Sequence, residues 1–177
     1  MKKIVLLLII ICSSVYAEKA STEIKIEGAF GYKLGEVYNI KPNQLIMMHR
    51  LTKPRKPFRK FNFYDISVDP KQRIFLIRAQ FTAKTEIEAI QEIQILEKAI
   101  EKKYKAKPLP VEGADKNIYF VGIENKTQNR SIGIVRSKNH IRIMYRDHII
   151  GKAQSEAEKE KREQETKRSI EEAQDIL

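Results

Sequence analysis

Between residues 61 and 81 apolar and polar side chains alternate along the chain. Phe61, Phe63, Asp65 and Ser67 fall on one side of an extended backbone and Tyr64, Ile66 and Val68 on the other, the period of a strand. Asp69-Pro70-Lys71-Gln72 is turn chemistry, and Arg73 to Phe81 resumes with β-branched and aromatic residues, so the segment predicts a β-hairpin. The period then lengthens. Ile87, Ile90, Ile93, Leu96, Ala99 and Ile100 recur at spacings of three and four, the apolar stripe of a helix that covers a sheet. Thr85 and Glu88 form a capping box that opens this helix. Lys102, Lys103 and Lys105 suit the negative end of its dipole near Tyr104, and Pro108 and Pro110 stop it.

Beyond Gly113 the pattern returns to strands: Asn117 to Glu124, Arg130 to Arg136 and His140 to Arg146, joined by polar turns at 125–129 and at Lys138-Asn139. Three short strands on tight turns predict an antiparallel meander. From Asp147 to Leu177 the composition shifts to Ala, Glu, Lys, Gln and Arg, which favours helix by propensity. Only Ile149, Ile150, Ala153 and Ala157 at its start and Ile170, Ala173, Ile176 and Leu177 at its end could pack, and no heptad is sustained, so a solvated helix is expected rather than a coiled coil. Upstream, a short strand at Ile24 leads into Gly28, Gly31 and Gly35. No helix opens after these glycines, so they do not make a dinucleotide fingerprint. Leu45 to Arg50 reads as a short strand before the proline-broken loop Lys53-Pro54-Arg55-Lys56-Pro57. The expected fold class is α+β: an antiparallel sheet of hairpin plus three-stranded meander, one packed amphipathic helix, and a polar C-terminal helix extending away. The α+β domain would span 18–146 and the charged helix 147–177.

The first seventeen residues change where this domain is expected to work. Lys2 and Lys3, the apolar run Ile4 to Ile11 and the cleavage site Val15-Tyr16-Ala17 have the three parts of a secretory signal peptide. The run is shorter than the roughly 20 apolar residues of a membrane span. Ile11 stands before Cys12 where lipoprotein processing takes a small residue, which argues against a lipid anchor. Cys12 is the only cysteine, so a mature chain beginning near Glu18 has neither disulfide nor thiol nucleophile. Its expected compartment is the periplasm or the medium. The whole chain carries a net charge of +11. The two lysines of the signal contribute two of these charges, while the acidic excess of the last helix offsets positive charge elsewhere. The positive field therefore belongs to the folded part and would draw anionic partners.

Catalytic chemistry is sparse. His49, His140 and His148 have no partner at metal-ligand spacing, and no cofactor motif is present. Asp65, Asp69, Asp115 and Asp147 are not brought together by any pattern; Asp69 reads as a turn former and Asp147 as a helix cap. The densest constellation is Arg50, Lys53, Arg55, Lys56, Arg59 and Lys60, interleaved with Phe58 and Phe61. Arginine forks hold phosphate or carboxylate, so this loop is the first candidate for an anion- or partner-binding surface, against the plainer reading of a solvated basic loop. Arg130, Arg136, Lys138, Arg142 and Arg146 form a second basic set on the meander. The expected function is a non-enzymatic exported binding or accessory protein that engages an envelope protein or anionic glycolipid. A nucleic-acid binder of the envelope is the first alternative and a small hydrolase the second, although no nucleic-acid signature accompanies the charge.

Gly28-Ala29-Phe30-Gly31-Tyr32-Lys33-Leu34-Gly35 after an export signal, Phe61 and Tyr64 leading Ile66-Ser67-Val68-Asp69-Pro70, Ile74 to Ala79, and Ile95-Leu96-Glu97 through Lys102-Lys103-Tyr104 resemble a group of small uncharacterised exported bacterial proteins. The likeness covers roughly residues 26 to 150. It implies export and transfers no activity or site residue.

Overall fold

A computed structural model describes residues 24–40, 48–58, 60–111 and 118–174. The expected signal peptide, positions 45–47 of the expected strand, Arg59, Asp115, Asn117 and the last three residues lie outside these. The chain folds as α+β, in the order β1 (Gly28–Ala29), β2 (Tyr32–Lys33), β3 (His49–Arg50), β4 (Phe63–Val68), β5 (Ile74–Thr82), α1 (Glu86–Tyr104), β6 (Leu109–Pro110), β7 (Tyr119–Asn125), β8 (Arg130–Ser137), β9 (His140–Asp147) and α2 (His148–Gln174). Strands β3 to β9 form one antiparallel sheet ordered β3-β4-β5-β9-β8-β7-β6, and β1 pairs with β2 alone. The expected hairpin is β4–β5 and the expected meander β7–β8–β9; pairing of β5 with β9 joins them.

Turn chemistry sets these registers. Asp69 accepts the Arg73 amide at 2.7 Å and holds its guanidinium at 2.6 and 2.8 Å, which fixes the β4–β5 turn. A two-residue turn joins β8 to β9, with Lys138 at φ 53°, the sign that tight hairpin turns need at this position. The resulting alternation places Tyr64, Ala79, Ile143, Ile134 and Val121 in one row across five strands, and Ile66, Ile77, Tyr145, Ile132 and Ile123 in the next. All ten side chains are buried.

Two pieces cover this inner face. Helix α1 lays Ala89, Ile93, Leu96, Ile100 and Tyr104 on it. Its N-terminus is capped as expected: the Thr85 hydroxyl accepts the Glu88 amide at 3.1 Å, and the Glu88 carboxylate reaches back to the Lys84 amide at 2.9 Å. The N-terminal segment covers the rest with Ile26, Tyr32 and Leu34. Its Phe30 ring meets Phe61, Tyr64 and Tyr145 edge to face at 6.0, 5.1 and 6.2 Å. The strand expected at Ile24 is instead the hairpin β1–β2, which begins four residues further on at Gly28. Helix α2 packs only at its start, where Gly151 lies against the Phe75 ring and Ile150 is buried; every described side chain from Lys159 onward is exposed. Among the described residues no helix is long and apolar enough to cross a membrane.

This division sets the stability of substitutions. Ile134→Ala, at a position with no exposed surface, is expected to cost about 2–5 kcal/mol, whereas Ile170→Ala in α2 should change stability by less than about 0.5 kcal/mol. Urea unfolding of both variants checks the contrast, and a comparable loss in the Ile170 variant would mean that the tail packs on the domain.

Candidate functional site: the outer face of the sheet

The same alternation that buries isoleucine inward presents the other half of each strand outward. Strand β9 shows His140, Arg142, Met144 and Arg146 on the outer face, between the buried Ile141, Ile143, Tyr145 and Asp147. Strand β5 shows Leu76, Arg78, Gln80 and Thr82, strand β4 Phe63, Asp65 and Ser67, and strand β3 Arg50. Directly paired residues give one row reading Phe63, Gln80, Arg142, Val135, Phe120, and the next reading Arg50, Asp65, Arg78, Met144, Gly133, Gly122. Four arginines thus share one face, with Asp65 and Glu124 as its acids.

They are held to different degrees. Arg78 grips the buried Asp65 carboxylate through Nε at 2.9 and 3.0 Å. Burial pushes the Asp65 carboxyl above its ordinary value, against the hydrogen bonds and charge of Arg78 and the charge of Arg142. Arg50 lies over the Phe63 ring, 4.8 Å from its centroid. Arg142 is exposed, its Nε donating to Gln80 at 3.4 Å. Arg146 is exposed and forms no ion pair among the described residues. At the two ends of β9 a hydroxyl meets a histidine: Thr82 with His140 at 2.9 Å and Ser131 with His148 at 2.8 Å. Among the described residues neither ring has a hydrogen bond to a third group that would orient it for catalysis.

The two basic sets found in the sequence are redistributed. In the loop, Arg55 donates to the Gly31 carbonyl at 3.1 Å and to Glu36 at 2.9 Å and stacks over Tyr32 at 4.6 Å, while Lys60 pairs with the buried Glu92. Both bind the loop to the protein. Lys53 and Lys56 are exposed, Arg59 lies outside the described residues, and Arg50 belongs to the sheet. On the meander, Arg130 turns to the inner side and bonds Asp147 at 3.0 Å and the Ile26 and Leu34 carbonyls at 3.0 and 3.2 Å. Arg136 reaches Glu86 at 2.7 Å and the Lys138 carbonyl at 3.2 Å. What remains outward is Arg142 and Arg146, joined by Arg50 and by Arg78, which sequence reading passed over. The signal for Arg78 was present: it alternates with Ile77 and Ala79 as Arg142 does with Ile141 and Ile143. Among the described residues no three His, Cys, Asp or Glu side chains gather as a metal site.

Two measurements test these assignments. Arg130→Ala breaks a largely buried pair and frees two carbonyls, and is expected to cost about 2–4 kcal/mol, toward the lower end for buried pairs, with little change in anion binding. Since the folded pKa of Asp65 is raised, its ionisation penalises the folded state at neutral pH, and the penalty is relieved as pH falls through that pKa. Wild type should therefore gain stability relative to Asp65→Asn between pH 7 and about 4, the ordinary aspartate range. Urea unfolding across that window reads the difference, and a relative loss for wild type would contradict the burial argument.

No family model, curated protein or solved structure matches the chain, so the reading of this face rests on its own side chains.

Proposed function

We propose that the chain is an exported, non-enzymatic binding or accessory protein that holds an anionic envelope component, a glycolipid or an acidic partner protein, on the outer face of its sheet. The carrying observation is that Arg50, Arg78, Arg142 and Arg146 stand on one face, with Arg142 and Arg146 open to solvent, while Arg55 and Lys60 of the loop and Arg130 and Arg136 of β8 are held by partners within the protein. Guanidinium forks suit carboxylate and phosphate. Asp65 is hydrogen-bonded to Arg78 alone among the four, and two acids against four arginines leave a positive excess where Arg142 and Arg146 are open to solvent. Support for export comes from Lys2, Lys3, the apolar run behind them and Val15-Tyr16-Ala17.

Co-sedimentation of the protein with vesicles carrying an acidic glycolipid tests this. Binding should weaken with salt, as exposed charges are screened within about 10 Å at 0.1 M. At about 1.5–3 kcal/mol per charge-assisted contact, Arg142→Glu with Arg146→Glu should weaken it by roughly a hundredfold or more. Lys53→Ala with Lys56→Ala should change it little. Undiminished binding by the sheet variant would remove this face from the function, and tighter binding to a labelled oligothymidylate than to the vesicles would favour a nucleic-acid binder.

A further inference from the structure

The outer face has a relief that the charge reading does not use. Arg142 and Arg146 lie on the same side of β9, four residues and thus about 13 Å apart along the strand. Between them sits Met144, half-buried, and the cross-strand neighbours of Met144 on the β8 side are Gly133 and then Gly122. On the β8 side the floor between the two arginines is therefore low and carries no charge, while on the β5 side Met144 faces Arg78. Phe120 leans into this gap: an ideal Cβ at Gly133 would lie 2.7 Å from Phe120 Cε2 and 3.6 Å from Met144 Cε. The absence of a side chain at Gly133 is what lets ring and thioether settle there. Phe120 is only half-buried. Hydroxyl and amide groups border the strip: Ser131 is paired with Arg146, and Gln80 with Arg142.

Resting on the anion-binding reading above, we propose that this strip is a subsite for an acidic oligosaccharide lying along β9, with one acid group on Arg142, another on Arg146, and the apolar face of a sugar ring on Phe120 and Met144. A flat protein partner would not need a half-open apolar surface of ring and thioether set between two arginines. A run of nucleobases would need successive open rings, whereas Phe63, the other aromatic ring of this face among the described residues, is already covered by Arg50. A ligand with two separated acids and a hydroxylated body between them uses every group in the strip.

Titration calorimetry with oligogalacturonates of increasing length reads the spacing directly. Affinity should rise sharply at the length that reaches both arginines and then level off. Arg142→Ala or Arg146→Ala should return the long oligomer to the affinity of the short one, a loss of about tenfold or more. Gly133→Ala tests the floor without changing charge. Its Cβ meets the end of a side chain that can swing aside, so the fold should persist, as circular dichroism and urea unfolding would verify. This variant should weaken the oligosaccharide and leave inorganic pyrophosphate binding unaltered. Affinity independent of length, or equal loss of sugar and pyrophosphate in Gly133→Ala, overturns the subsite. If the length dependence is absent while Arg142→Glu with Arg146→Glu still releases the protein from acidic vesicles, only the subsite fails; if that release is absent too, the anion-binding reading fails with it.

Discussion

Everything on the two faces depends on the register with which β5 meets β9. Leu76 to Thr82 pairs with Arg146 to His140 without a slip, and among the described residues this ladder alone joins the hairpin to the meander. Because side chains alternate, a one-residue shift would carry Ile141, Ile143 and Tyr145 outward and bring Arg142 and Arg146 over the core. The hydrophobic cost of exposing three large side chains, about 1.5–3 kcal/mol each, makes the shifted pairing untenable. The charge of the outer face is thus fixed by the packing of the inner one.

The inner face is closed by an N-terminal segment with almost no regular structure, and its attachment needs specific bonds. Arg130 provides the central one, since a single guanidinium bridges Asp147 at the end of β9 to the carbonyls of Ile26 and Leu34. Asp147 also accepts the Ile150 amide at 3.1 Å and so caps α2. The same carboxylate therefore fixes the N-terminal segment and starts the tail. Gln128 adds a bond from the other side, its side chain accepting the Ile26 amide at 2.8 Å. An arginine used this way is unavailable to a ligand, however basic its strand looks in sequence.

The periodic elements were legible from their period: the β4–β5 hairpin, helix α1 with its Thr85 cap, the meander and the polar α2 stand where alternation, three-and-four spacing or composition placed them, although the expected stripe of α1 is buried only at Ile93, Leu96 and Ile100, with Ile87, Ile90 and Ala99 exposed and Ala89 and Tyr104 turned inward instead. Strand β6 was not, since Leu109–Pro110 is two residues long and contains a proline, a pattern that sequence assigns to a helix stop. The arginines of the site were half legible. Alternation marks Arg142 and Arg146 as facing away from Ile141 and Ile143 and puts Arg130 and Arg136 on the side of the buried Ile132 and Ile134, but it does not say which acids distant in sequence they meet there. Glu86 lies 50 positions from Arg136 and Asp147 17 from Arg130, and only the sheet order brings them together.

Charge density along the chain and positive field at the surface are accordingly different quantities. The loop from Arg50 to Lys60 holds the highest density of cations, yet Arg55 and Lys60 are paired because a loop crossing a folded domain needs fastening and cations find the carboxylates of Glu36 and Glu92. A strand needs no such fastening, since its backbone ladder already holds it, and a side chain on its outer face can remain unpaired without cost to the fold. Arg142 and Arg146 stand in that position on a central strand, flanked on both sides by hydrogen-bonded neighbours. A rigid strand with solvent-open arginines is better suited to hold a ligand at a fixed spacing than a loop that commits Arg55 and Lys60 to its own anchorage.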